Sequence, residues 1–343
     1  MNNSEDKKGA LIPLPSSALA QGGATALARR GLRDALATQQ ADAWLKKGQE
    51  LWDRRNYRQA VDSFARGLEC DPDHEALALW LGDAYVDGLG VTQDYEQALY
   101  WIRKAANRGL ALAQCRLGRM YAEGWGVAKD FAEAVYWWRK ADEQGWPSLP
   151  QYLLGVAYDY GGEGIQQNSA EAAYWYRKSA EHGYATAQCR LGEIYLDGKG
   201  VQQDYQQAIL WFHRAAEQGN AEAQSWLGWM YTGEGRERDM SEALIWTQKA
   251  AKQGNARAQR RLGMMYEAGE GVPQDCEQAI FWYGKAADQG LWAASGDIEK
   301  LRANLKAKPQ GETRPFANMR VSTDDGTQIE ARESELTRIS PQE

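Results

Sequence analysis

Histidine and cysteine are scarce in this 343-residue chain, with three of the first and four of the second. Cys70, Cys115, Cys189 and Cys276 stand far apart, without a C-x-x-C pair or a histidine cluster beside them. The short fixed spacings of a zinc site are therefore missing, and the pattern predicts four reduced thiols, no metal and no cofactor. His74, His182 and His213 fall in or beside repeat helices and read as surface residues rather than as members of a nucleophilic triad. A Ser-x-x-Lys run occurs only at Ser4 to Lys7, near the start, where no pocket is expected. The chain reads as non-enzymatic. Long apolar runs are lacking too, and nothing approaches the ~20 residues of a membrane-spanning helix. An excess of base is absent: the formal net charge is -7, which opposes nucleic-acid binding, because neutralising phosphates takes clustered cations.

What is present is a folded composition, 43% hydrophobic and 25% charged. Residues 1–40 form an N-terminal arm. Its Ala10 to Pro15 run and Ala18-Leu19-Ala20 loosely imitate a signal peptide, but Glu5 and Asp6 precede the run and Pro13, Pro15, Ser16 and Ser17 break it. A cytoplasmic location is expected, with export as the minor alternative. Residues 24–38 predict an amphipathic helix with Leu27, Ala28, Leu32, Ala35 and Leu36 on one side, a cap on the first repeat or else a docking arm.

Internal repetition dominates the rest. A Leu-Gly pair with Tyr three residues after the Gly recurs as Leu81-Gly82-Tyr85, Leu117-Gly118-Tyr121, Leu154-Gly155-Tyr158, Leu191-Gly192-Tyr195, Leu227-Gly228-Tyr231 and Leu262-Gly263-Tyr266, at intervals of 35 to 37 residues. Such a period marks stacked helical hairpins, none of which can bury its apolar face alone. Leu and Tyr share one face of a first helix, and the Gly between them leaves room for a second helix. That second helix opens with a capping box in every unit: Asp94/Gln97, Asp130/Glu133, Asn168/Glu171, Asp204/Gln207, Asp239/Glu242 and Asp275/Gln278. Trp101, Trp137, Trp175, Trp211, Trp246 and Trp282 follow at one repeat position and are expected in the core. The helices then stop at Gly109, Gly145, Gly183, Gly219, Gly254 and Gly290.

The repeated pattern, clearest at residues 185–219, resembles the Sel-one-like repeat family, a subclass of the tetratricopeptide superfamily. The resemblance covers about residues 76–290. Residues 41–72, with Trp44, Gly48, Leu51, Tyr57, Ala60, Phe64 and Pro72, carry tetratricopeptide spacing. It implies an all-α fold, a right-handed α-α superhelix (solenoid), and a role in protein recognition without catalysis. The domain organisation expected is an arm at 1–40, a tetratricopeptide-like unit at 41–72, six repeats at 73–290, a capping helix at 291–305 and a polar, disordered tail at 306–343. Secreted relatives in this family staple their repeats with disulfides. Cys115 and Cys189 match one of those cysteines, but the partner position holds Asp142 or Ala180, which implies a reducing compartment.

The function this points to is a scaffold or adaptor that binds another protein or a peptide segment along the concave, first-helix face, with oligomeric state open. Glycan or cell-wall fragment binding is the alternative, motivated by 15 Trp. The residues one before and two after the anchoring Leu vary in chemistry: Trp80 and Asp83, Arg116 and Arg119, Leu153 and Val156, Arg190 and Glu193, Trp226 and Trp229, Arg261 and Met264. Aromatics with arginine are typical of interface hot spots. Trp226 and Trp229, with Arg190 and Arg261, either line a groove for an acidic, apolar peptide or pack between first helices, the arginines pairing with acids such as Glu193.

Overall fold

A computed structural model describes residues 26–146, 148–162, 164–233, 238–307, 320–322 and 328–330. It has fifteen helices among these residues and one short strand pair. The chain divides into two compact units, Met1–Asn255 and Ala256–Glu343. The first contains six helical hairpins: α1 (Ala26–Asp53) with α2 (Tyr57–Cys70), α3 (Glu75–Asp87) with α4 (Tyr95–Asn107), α5 (Ala111–Glu123) with α6 (Phe131–Glu143), α7 (Leu149–Tyr160) with α8 (Ser169–Glu181), α9 (Ala185–Asp197) with α10 (Tyr205–Glu217), and α11 (Ala221–Met230) with α12 (Met240–Lys252). The second helix of each of the first five hairpins also packs on the first helix of the next. The second unit holds α13 (Ala256–Ala268), α14 (Cys276–Asp288) and α15 (Trp292–Ala307), with β1 (Arg320–Ser322) antiparallel to β2 (Gln328–Glu330). Most of the expected tail, and the start of the arm, lie outside the described residues.

The glycine between Leu and Tyr acts through close approach. A Cβ built on Gly192 would lie 2.6 Å from the Phe212 ring, so only a bare Cα lets α10 seat Phe212 there. The loop glycine Gly200 has φ +72° and would place a Cβ 2.3 Å from the Ser169 backbone, so it is constrained twice. The tryptophan column is core: Trp137, Trp175, Trp211 and Trp246 are buried, while Trp101 and Trp282 are half-buried.

Two ladders tie one hairpin to the next and were not apparent in the sequence. Arg103, Arg139 and Arg177 on second helices donate to the hydroxyls of Tyr121, Tyr158 and Tyr195 at 3.1, 2.9 and 2.8 Å, and His213 bonds Tyr231 at 2.8 Å. The repeat tyrosine therefore has a polar end as well as an apolar body. Buried Gln114, Gln188 and Gln224 donate to the carbonyls of Ala106, Ala180 and Ala216, and each accepts from the glutamine that follows its own hairpin's second helix: Gln144, Gln218 and Gln253. Two of each amide's hydrogen-bonding atoms are thereby satisfied in the core.

Three features differ from the sequence pattern. The capping boxes are only half formed, because Asp94, Asp130, Asn168, Asp204 and Asp239 spend their own backbone N–H on the carbonyls of Tyr85, Tyr121, Tyr158, Tyr195 and Tyr231. Their side chains still cap the helix N-terminus. With no N–H to bond, the Glu133 and Glu242 carboxylates instead accept from the indoles of Trp137 and Trp246. The arm helix and the first tetratricopeptide-like helix are one element, α1, since no Gly or Pro stop lies between Leu32 and Ala41. His74 is buried rather than superficial: its ring caps α3 through Leu77 N–H and meets Asp42 at 3.0 Å.

Candidate docking faces

First helices display the variable column, and in the first unit it is partly locked. Trp80 stacks on Phe64 at 5.5 Å and edges onto Trp52 at 5.3 Å, so it is half-buried between hairpins. Trp226 repeats that arrangement one column position for another, stacking on Phe212 at 5.8 Å and 13° and meeting Trp229 edge-on at 5.7 Å. Its indole N–H donates to Glu193 at 3.0 Å, and the other Glu193 oxygen accepts from Arg190 at 2.7 Å. The structure thus brings Arg190, Trp226 and Trp229 together with Glu193, in the packed form rather than as an open groove. Desolvation by burial raises the Glu193 carboxyl above its usual range, and Arg190 only partly offsets this.

Cys189 and Glu222 border the same network, their ligand atoms and one from Glu193 lying within 4.8 Å of one another. Burial pushes the Cys189 thiol strongly up, with Glu193 adding to it. Both Glu193 oxygens already accept hydrogen bonds, one from the Trp226 indole and one from Arg190.

Arg116 and Arg119 come together in a second place. With Asp83, Asp87, Val86, Ile102, Met120 and Trp125 they line a cleft of about 60 Å³ between α3 and α5. Arg116 Nε sits 3.4 Å from Asp83 Oδ1 but off hydrogen-bond alignment, and Arg119 lies over the Trp125 ring at 4.7 Å. Desolvation lifts Asp83 from 3.8 to about 6, with Asp87 adding to it and Arg116 and Arg119 opposing it. At two junctions the side chain before the Leu reaches the one two after the preceding Leu, Arg116 reaching Asp83 and Trp226 reaching Glu193. Sequence spacing on a single helix does not reveal that reach. Arg261 belongs to the second unit, half-buried, where desolvation together with Arg257 and Arg260 lowers its guanidinium to about 10.

Second helices carry a column of exposed apolar side chains that composition alone concealed: Tyr100, Tyr136, Tyr174, Leu210 and Ile245, each one residue before the repeat Trp.

The Sel1 repeat family matches residues 77–110, 111–146, 151–184, 185–220, 221–255 and 256–291, more than half of the chain. Among solved structures, a Sel1 repeat protein from Oxalobacter formigenes is 34% identical with a TM-score of 0.65, covering 71% of this chain and 99% of that one. A protective antigen of uropathogenic Escherichia coli strains that displays an SLR fold is 36% identical over 77% of this chain and 65% of that one, with a TM-score of 0.44. The search of curated proteins found no match. With six matched repeats and the hairpin packing that they specify, the chain is a member of the Sel1 repeat family.

Proposed function

We propose that this chain is a non-enzymatic scaffold or adaptor that holds a segment of another protein on the first-helix face of its repeats. One observation carries this: the core columns repeat the same chemistry in every hairpin, while the first-helix column places aromatics, arginines and half-buried acids in two pre-arranged clusters, at Asp83/Arg116/Arg119 and at Arg190/Glu193/Trp226/Trp229. A fixed frame with chemically varied, partly accessible positions suits recognition, and aromatic plus Arg clusters suit a peptide that brings carboxylates and apolar side chains. Because Trp226 is half-buried and bonded, the contacts this face offers are exposed Arg119 and half-buried Trp229, backed by Arg190. Four free thiols, with Cys115 buried and pushed up to about 12 by desolvation, fit a reducing cytoplasm. Buried Trp137, Trp175, Trp211 and Trp246 are unavailable to a glycan, which favours the protein-binding reading over the glycan alternative.

A photoreactive phenylalanine analogue placed at position 119 or 229 should cross-link a partner protein in native cells, whereas the same group at exposed Lys199 should not. Equal labelling from all three positions, or none from 119 and 229, would count against the first-helix face. Heat released by cell-wall fragments in a calorimeter would favour the glycan alternative.

A further inference from the structure

Apart from Tyr160 at the end of α7, the most exposed large apolar side chains in the hairpins of the first unit lie on second helices. Tyr100, Tyr136, Tyr174, Leu210 and Ile245 occupy one repeat position, with exposures from 42 to 58%. The three tyrosines stand edge-on against the next residue, Trp101, Trp137 and Trp175, at 4.9 to 5.3 Å, so their rings are held outward by buried neighbours. A cation follows four residues after each: Lys104, Lys140, Lys178, Arg214 and Lys249. Each lies over the neighbouring Trp, at distances from 4.1 to 5.8 Å. Lys104 and Lys178 are partly neutralised by Asp73 and Asp142. Lys140, Arg214 and Lys249 make no ion pair among the described residues. Helices α6 and α8 touch through the 5.4 Å contact of Arg139 with Trp175 and the Lys178–Asp142 pair, and α10 and α12 through the 5.5 Å edge contact of His213 with Trp246, so neighbouring positions of the column adjoin there. The second unit repeats the motif by itself in Phe281, Trp282 and Lys285.

We propose that this second-helix face is a docking surface for an acidic, extended polypeptide segment with apolar side chains, its carboxylates meeting Lys140, Arg214 and Lys249 and its apolar groups meeting Tyr136, Leu210 and Ile245. Charge complementarity selects an acidic occupant, because the cations at this position persist in all five hairpins and three of them lack acids. Apolar side chains are selected over sugar rings, because the column keeps its hydrophobicity but not its aromaticity at Leu210 and Ile245. Packed helices stand about 8–10 Å apart and a polyproline II chain repeats every three residues with a rise of about 3.1 Å each, so apolar residues at every third position share one side and keep step with the hairpins. The proposal stands independently of the first-helix face.

The test uses the full chain and a fluorescein-labelled peptide of four Leu-Glu-Asp repeats, read by anisotropy. The wild type should bind saturably and the Tyr136→Ser/Leu210→Ser/Ile245→Ser variant at least tenfold more weakly. A Ser-Glu-Asp peptide of the same charge should also bind at least tenfold more weakly. Lys140→Gln/Arg214→Gln/Lys249→Gln should weaken binding and flatten its salt dependence. Lys199→Gln, in the loop between α9 and α10, should bind as the wild type does, so that the losses report this column rather than a general change of charge. If the triple Ser variant fails to fold, Tyr136→Ser alone should still show at least a threefold loss. Equal binding by a folded Ser variant would overturn the proposal. So would no saturable binding by the wild type, or sedimentation with phosphatidylglycerol vesicles without peptide binding.

Discussion

The two faces of a hairpin in the first unit are built oppositely. On first helices the large variable side chains turn inward to one another, Trp226 stacking on Phe212 and bonding Glu193, so the polar and aromatic groups there are structural in part. On second helices the buried and exposed roles are split between adjacent residues: Trp137 goes inside, while Tyr136 stays outside under Lys140. Two successive helix positions point about 100° apart, so one strip can fill the core while its neighbour faces water. A surface column of that kind can change with little effect on the frame. A shared column, as on the first helices, couples recognition to stability.

Substitutions can break that contrast, beginning with the core. Trp211→Ala should cost about 3–5 kcal/mol, as large-to-small aromatic core changes do. Trp211→Phe should cost far less, because the buried indole N–H has no hydrogen-bond partner to lose. Urea unfolding reads both, and a wild-type midpoint for the Ala variant would place this column at the surface. Gly192→Leu should cost about 3 kcal/mol, at the upper end of overpacking, since the added carbons enter the space of the Phe212 ring.

The contrast also has a pH signature. Asp83 has a folded pKa near 6 against 3.8, raised by desolvation. A raised carboxyl takes up protons more readily folded than unfolded, so stability falls as pH rises from about 4 to about 6 and levels off above. The size is about 1–3 kcal/mol. Asp83→Asn should flatten that part of the stability profile measured by urea unfolding, and an unchanged slope would show that Asp83 ionises normally. Smaller again, Trp226→Phe keeps the stack but loses the bond to Glu193, for a cost of about 1–2 kcal/mol in thermal or urea unfolding. No change there would mean that the indole N–H is equally well served by water.

The hairpin frame was legible because its determinants are local: Leu-Gly-x-x-Tyr, a capping Asp and a terminal Gly recur at a fixed period. The Trp column was legible for the same reason. What escaped involves contacts 18 to 37 residues apart, such as Arg177 to Tyr195 and Trp226 to Glu193, where two types of residue meet only once hairpins stack. The cap geometry misled in one respect, since Asp204 N–H is claimed by the Tyr195 carbonyl, a partner that no local pattern names. The residues of the candidate column lie on first helices, and Arg190, Glu193 and Trp226 adopt the packed alternative. The exposed column was hidden because Tyr136 and Trp137 are equally aromatic, and only the fold tells which is outside.

Paired urea unfolding of Trp226→Ala and of Tyr136→Ser/Leu210→Ser/Ile245→Ser weighs the two faces against each other directly. The first should lose more than about 2 kcal/mol, as a partly buried stack and a bond to a charged group are removed, and the second should stay within about 1 kcal/mol of the wild type, as surface changes do. A larger loss from the triple variant than from Trp226→Ala would contradict the division between a structural first-helix column and a free second-helix column.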